Sequence, residues 1–278
     1  MFVSVVAELQ VDKPMSIPIT HGEAMQAEFL RRVSELDSGV AVHLHGGRDG
    51  KTRPYTISQI QVEGETTVGD GRRYLQPGCN AWFRLTAIGA LPSQAVLALS
   101  ESLNSWMQFG IRRWSVFPEE HSWSGVTKLD DVFQSAWTSM EREPDGAVLH
   151  FHSPTAFETA SGGGWAGWMP LPIPRLVFGS LRARTLGCTA IEEPPLPPNF
   201  IDEHVALGQF HDISSRLMSF QRHGYHRAGF TGVCEFRFDR KMPEPARVWL
   251  HLLANLAFYL GVGKDTTRGM GQVRRATA

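Results

Sequence analysis

The sequence predicts an α+β protein of two tandem ferredoxin-like domains (βαββαβ, RRM-like), over residues 1–142 and 143–278. Three observations lead there. The order strand, helix, strand, strand, helix, strand can be read twice along the chain, although no sequence repeat is visible. A length of 278 residues suits one large or two ordinary domains. The 42 % apolar content is ample for a core, yet no run of 18 apolar residues exists, so no transmembrane helix and no membrane partner are expected.

In the first half, residues 2–11 alternate, with Val3, Val5, Ala7, Leu9 and Val11 on one face of a half-buried strand. Thr20-His21-Gly22-Glu23 has the form of a capping box opening a helix that buries Met25, Phe29, Val33 and Leu36 and ends by Gly39. A loop, His43-Leu44-His45-Gly46-Gly47-Arg48-Asp49-Gly50-Lys51, leads into a strand at Tyr55–Gln61. Another strand spans Trp82–Ile88, Pro92 sits in the first turn of a helix through Asn104, and Arg112–Phe117 is the fourth strand.

Asp130–Met140 is a short connecting helix, after which the order repeats. Val148–His152 is a strand, Ser161–Pro172 a glycine-rich loop, and Pro174–Leu186 a helix closing near Gly187. Strands follow at Leu207–Phe220 and Gly229–Phe238. Pro245 starts a helix that is apolar nearly all round except for the stripe Arg247, His251, Asn255. Gln272–Ala276 closes the sheet.

Between that helix and that strand lies Gly261-Val262-Gly263-Lys264-Asp265-Thr266-Thr267-Arg268-Gly269-Met270-Gly271. Glycine adopts positive φ and keeps side chains out of a ligand's way, so such a loop suits phosphate contacts by its N–H groups, Lys264 and Arg268. It is not a Walker loop, because Phe258 stands where the first glycine should be, nor a dinucleotide fingerprint, which follows a strand. The plain alternative is a turn with no ligand. Net charge is −1, but from Arg222 onward ten Lys or Arg face four Asp or Glu, a local basic excess around the loop. A solvated basic face is the alternative reading.

Cys79, Cys188 and Cys234 are three in number, widely spaced and without a CxxC, which favours a reducing cytoplasm over a disulfide framework or zinc knuckle. The N-terminus lacks the basic-then-apolar pattern of a signal peptide. Two HxH pairs, His43/His45 and His150/His152, raise the question of a metal, but neither is followed by convincing ligand spacing, and no cofactor is expected. Arg222–Arg227 has the look of a basic hairpin tip, either touching phosphate or merely exposed. Trp165 and Trp168 are candidates for base stacking or for packing.

Taken together, these residues resemble the CRISPR-associated endoribonucleases that cut repeat RNA precursors into guide RNAs, the Cas-six family of RAMP proteins. Gly261, Gly263, Gly269 and Gly271 match that family's GxGxxxxxGxG loop position for position. Weaker echoes are Phe151-His152-Ser153-Pro154-Thr155, Gly229-Phe230-Thr231-Gly232, and Leu44-His45. The resemblance implies His45 as the catalytic histidine, with His43 as runner-up and Lys51 assisting. A tyrosine that some members place on the first helix has no counterpart there, where Phe29 and Leu30 stand. RNA cleavage would use the substrate's own 2′-OH, leave a 2′,3′-cyclic phosphate and a 5′-OH, and need no metal. Lys51, Arg48 or Arg53 would meet the developing charge. The RNA would be bound by Gly261, Gly263, Lys264, Thr266, Thr267, Arg268, Gly269, Gly271 and Arg274, with Arg222 and Arg227. Repeat RNA and crRNA are the expected partners, with other CRISPR effector-complex subunits after them. The rival reading is a non-catalytic RAMP subunit that binds crRNA in a surveillance complex.

Overall fold

A computed structural model describes residues 1–46, 52–64, 66–160, 166–220 and 225–276. The chain divides into two compact units. One is Met1–Thr127 with Thr267–Gly269; the other is Lys128–Thr266 with the residues from Met270 onward. Each carries the expected ferredoxin-like sheet.

In the N-terminal unit the strands stand in the order Tyr55–Ile57, Asn80–Ile88, Phe2–Gln10, Phe109–Ser115, all antiparallel. That is second, third, first, fourth, the split arrangement two crossover helices impose. The helices are Gly22–Leu36 and Ala90–Ser102. Val3, Val5, Ala7 and Leu9 meet Met25, Phe29, Val33, Val96 and Leu99 in one core. The first strand is buried on both faces rather than one. Its polar side is covered because Gly125–Thr127 pairs beside it, and Ser4 Oγ donates to the Trp123 carbonyl. Arg84, 2 % exposed, donates from Nε to Ser4 Oγ at 2.7 Å and to the Trp123 carbonyl at 3.1 Å.

Two local expectations fail. Thr20 forms no capping box; His21 occupies the cap position without a side-chain cap bond. Instead its Nδ1 donates to the Pro18 carbonyl at 2.9 Å and its Nε2 accepts the Ile60 N–H at 2.7 Å. Burial lowers the pKa of His21 to about 4, so the ring is neutral. Nor does the chain enter a loop after Gly39. Asp37 turns extended, and its carboxylate accepts the N–H groups of Gly39 (2.8 Å) and Val40 (3.1 Å). This caps a second helix, Ser38–Gly46. A three-stranded sheet of Met15–Pro18, Arg72–Leu75 and Thr67–Gly69 also went unforeseen.

In the C-terminal unit the order is Val205–Phe220, Tyr225–Phe238, Gly146–Thr155, Val273–Arg275, again second, third, first, fourth. Pro174–Cys188 runs through Gly187 rather than stopping there. The helices Pro174–Cys188 and Glu244–Leu260 bury Phe178, Leu181, Leu250, Leu253 and Leu256. The polar stripe of the last helix is not on the surface. His251 is fully buried, and Arg275 on the closing strand donates to His251 Nδ1 (3.0 Å), Asn255 Oδ1 (3.2 Å) and Glu143 Oε2 (2.7 Å).

Candidate functional site

The loop after the last helix takes its shape from its four glycines. Their φ values are +67° at Gly261, +82° at Gly263, +89° at Gly269 and +67° at Gly271. A Cβ at Gly271 would lie 2.1 Å from the Val262 carbonyl oxygen, and one at Gly263 would lie 2.4 Å from that of Ala156. The close approaches that demand glycine are therefore made by the protein's own backbone. Gly271 N–H donates to the Pro154 carbonyl at 3.0 Å, and Gln272 N–H to Ser153 Oγ at 2.8 Å. Lys264 N–H reaches the Ala156 carbonyl at 3.0 Å, and Gly263 N–H reaches Ser180 Oγ at 2.8 Å. The Phe151–Thr155 run that stood out in the sequence is thus the bed of the loop. Gly229 packs there too, since a Cβ on it would sit 2.8 Å from the Thr155 nitrogen.

The polar side chains of the loop divide by environment. Lys264 is exposed, and its Nζ lies 2.5 Å from Glu158, whose pKa the lysine's hydrogen bond and charge lower. Thr266 is buried, its methyl group packed beside Gly261 and Gly271. Asp265, at φ +56°, pairs with Arg227. Arg227 stands on the Tyr225–Phe238 strand with its guanidinium over the Trp168 ring, 3.6 Å from the centroid. So Arg227 is a tie to the loop rather than a free basic tip, and Trp168 is covered by it. Arg222 and Trp165 lie outside the described residues.

The tip Thr267–Gly269 counts with the N-terminal unit. Thr267 Oγ1 accepts from Gln26 Nε2 at 2.8 Å and from Arg53 Nη1 at 3.3 Å. Arg268 Nε donates to Gln26 Oε1 at 3.1 Å. Gly269 pairs with Ser58 in a parallel bridge, and a Cβ on it would meet the Gln59 side chain at 2.4 Å. Gly22 at the start of the first helix lies against the Arg268 carbonyl where no side chain fits, a Cβ there falling 1.7 Å from that oxygen.

His43 and His45 are both exposed in the last turn of the Ser38–Gly46 helix, with Leu44 buried between them. They stand on a helix rather than in the expected loop, so a spacing of two turns them to different sides. Lys51 and Arg48 lie outside the described residues. His150 and His152 have ring centroids 5.7 Å apart. Arg274 is the register partner of His150, whose pKa burial and this cation lower. A guanidinium there disfavours a metal cation at the pair.

Half of the basic residues from Arg222 onward are ion-paired within the protein. Arg227, Arg237, Arg240, Lys264 and Arg275 pair with Asp265, Glu235, Asp145, Glu158 and Glu143. Sequence reasoning missed Gln26, Glu158 and the pairing role of Trp168. Gln26 did leave a signal: it falls in the stripe of Gly22, Met25, Phe29 and Val33, a polar residue on an apolar face.

Comparison with known proteins follows the same lines. The family model for the CRISPR-associated endoribonuclease Cas6 matches residues 149–273. A search of curated protein sequences finds no match. Among solved structures, a Cas6 product complex is similar over 99 % of this chain and 100 % of that one, at 22 % identity and a TM-score of 0.75. Thermus thermophilus Cas6 is similar over 99 % of this chain and 98 % of its own, at 22 % identity and a TM-score of 0.68. A Cas6-related gene product from Pyrococcus furiosus shares 11 % identity over 99 % of this chain and 98 % of its own, with a TM-score of 0.64. No helix among the described residues is long and apolar enough to cross a membrane.

Proposed function

We propose that this chain is a Cas6-type CRISPR-associated endoribonuclease, the family whose model matches residues 149–273, and that it cuts a CRISPR repeat RNA precursor into guide crRNAs without a metal ion. The nucleophile is the RNA's own 2′-hydroxyl beside the scissile phosphate. Its oxygen bonds to phosphorus, the bond to the 5′-oxygen breaks, and the products are a 2′,3′-cyclic phosphate and a 5′-OH. His45 transfers one of the two protons, with His43 as the second candidate and Lys51 meeting the developing charge. Lys264 and Arg268 bind RNA phosphates, and the glycines and threonines of their loop hold them in place. Arg274 adds a further cation.

The exposure of His43 and His45 carries the histidine assignment. Both imidazoles stand in the last turn of a helix whose chain continues towards Lys51, open to a substrate rather than spent on the core.

The test is incubation with a repeat RNA in EDTA. One cut is expected, and a 2′-deoxy substitution at the nucleotide 5′ of the cut should abolish it. His45→Ala should slow cleavage ~10²–10⁴-fold, as for loss of a proton-transfer group, with RNA affinity nearly unchanged. Undiminished cutting of the 2′-deoxy RNA overturns the mechanism. Binding without any cut identifies a silent RAMP subunit instead.

A further inference from the structure

Gln26 stands on the core-facing stripe of the Gly22–Leu36 helix and is 8 % exposed. A buried amide costs about 1–3 kcal/mol unless its hydrogen bonds are met, so leucine would serve packing better there. The amide is fully engaged. Its Nε2 donates to the Tyr55 hydroxyl at 3.1 Å and to Thr267 Oγ1 at 2.8 Å, and its Oε1 accepts from Arg268 Nε at 3.1 Å. Thr267 Oγ1 takes a second bond from Arg53 Nη1 at 3.3 Å. The side chain thus fixes one guanidinium directly and a second through one hydroxyl.

Both cations also act on the same phenol. Burial raises the pKa of Tyr55, while Arg53 and Arg268 pull it the other way. Two half-buried guanidiniums, one on the Gln26 amide oxygen and one on the Thr267 hydroxyl, present a fork of donors suited to a phosphate.

We propose that Gln26 is a positioning residue for RNA cleavage, holding Arg268 directly and Arg53 through Thr267 so that both guanidiniums receive the charge on the non-bridging oxygens of the scissile phosphate. The proposal rests on the cleaving function given above. As the 2′-oxygen bonds to phosphorus and before the 5′-oxygen leaves with its proton, those two oxygens carry the added negative charge. Donors fixed in advance stabilise it without reorganising.

The experiment uses the full chain and repeat RNA under single-turnover conditions, with melting curves taken in parallel. Gln26→Ala should lower the cleavage rate ~10–100-fold while the dissociation constant of the uncleaved 2′-deoxy RNA changes by less than about 3-fold, because the arginines remain present but unfixed. Arg268→Ala should lower the rate likewise. The double variant should fall no further than about 2-fold below the slower single one, since both changes remove one arrangement. Gln26→Glu keeps the acceptor for Arg268 and should recover part of the loss. Should Gln26→Ala not fold, Gln26→Glu and Arg268→Ala carry the same comparison. A Gln26 variant cutting at the wild-type rate overturns the proposal. So do losses that multiply in the double variant, or affinity of a Gln26 variant falling in step with its rate. Wild-type protein that leaves the repeat RNA uncut overturns the cleaving function itself, a different result from either.

Discussion

Arg227 places its guanidinium over Trp168, 3.6 Å from the ring centroid, and pairs with Asp265, the one non-glycine in the loop held at positive φ. A cation over tryptophan is worth about 0.5–2 kcal/mol, more when desolvated. Arg227→Ala should therefore lower stability in denaturant by about 1–3 kcal/mol. The salt dependence of RNA binding should keep its slope. A flattened slope with unchanged stability would make Arg227 a phosphate contact instead.

Gly271 and Gly71 share nearly the same φ, +67° and +69°, but differ in their surroundings. A Cβ on Gly71 meets nothing within 4 Å, whereas one on Gly271 falls 2.1 Å from the Val262 carbonyl oxygen. Gly71→Ala should cost only the left-handed penalty of roughly 1–2 kcal/mol. Gly271→Ala should cost clearly more, and chemical denaturation of the two variants measures the difference. Equal costs would show that the loop relaxes freely.

His251 gives stability a pH dependence. Burial, then the charges of Arg275 and Arg247, lower its pKa to about 3, against an ordinary 6.5. Nδ1 accepts from Arg275, so protonation breaks that bond. The unfolded chain takes up the proton first as pH falls, so stability is whole above about 6.5. It is then lost at about 1.4 kcal/mol per pH unit down to the folded pKa. His21, lowered to about 4, adds a second contribution in the same direction. His251→Gln should reduce the slope of unfolding free energy between the ordinary pKa of 6.5 and the lowered one of about 3. An unchanged slope would contradict this.

Lys264 meets Glu158 before it meets RNA. A phosphate must displace that carboxylate. Lys264→Ala should flatten the dependence of log K on log salt by about 0.7–0.9. Glu158→Gln should raise affinity roughly 2–5-fold, the worth of an exposed pair. Filter binding across a salt series reads both. Weaker binding by Glu158→Gln would assign the carboxylate a role in shaping the loop.

The sheet order was legible because each half carries its own periodic strands, proline-started helices and turn residues. Helix continuity after Asp37 was not, because the capping carboxylate acts across a glycine that reads as a stop. In the loop, spacing revealed the four glycines, but not that Ala156 and Val262 carbonyls, rather than a ligand, crowd Gly263 and Gly271. Nor does composition reveal that half of the local cations are already paired. Arg275 with Glu143 joins residues far apart in sequence, and no local pattern records such a partner. Gln26 was visible as an anomaly in an apolar stripe, yet its meaning depends on Thr267 and Arg268, some 240 residues later.

That separation bears on how the molecule is made. During synthesis the ribosome delivers Met1–Thr127 long before the three residues that complete this unit. Until Thr267–Gly269 emerge, the nascent chain holds Gln26 without two of its partners, and the first helix lacks the strand of backbone that passes over Gly22. All strands of the first sheet are therefore synthesised well before Thr267–Gly269, the residues that complete the unit. A chain cut short before Thr267 would leave the Gln26 amide with Tyr55 but without Thr267 and Arg268.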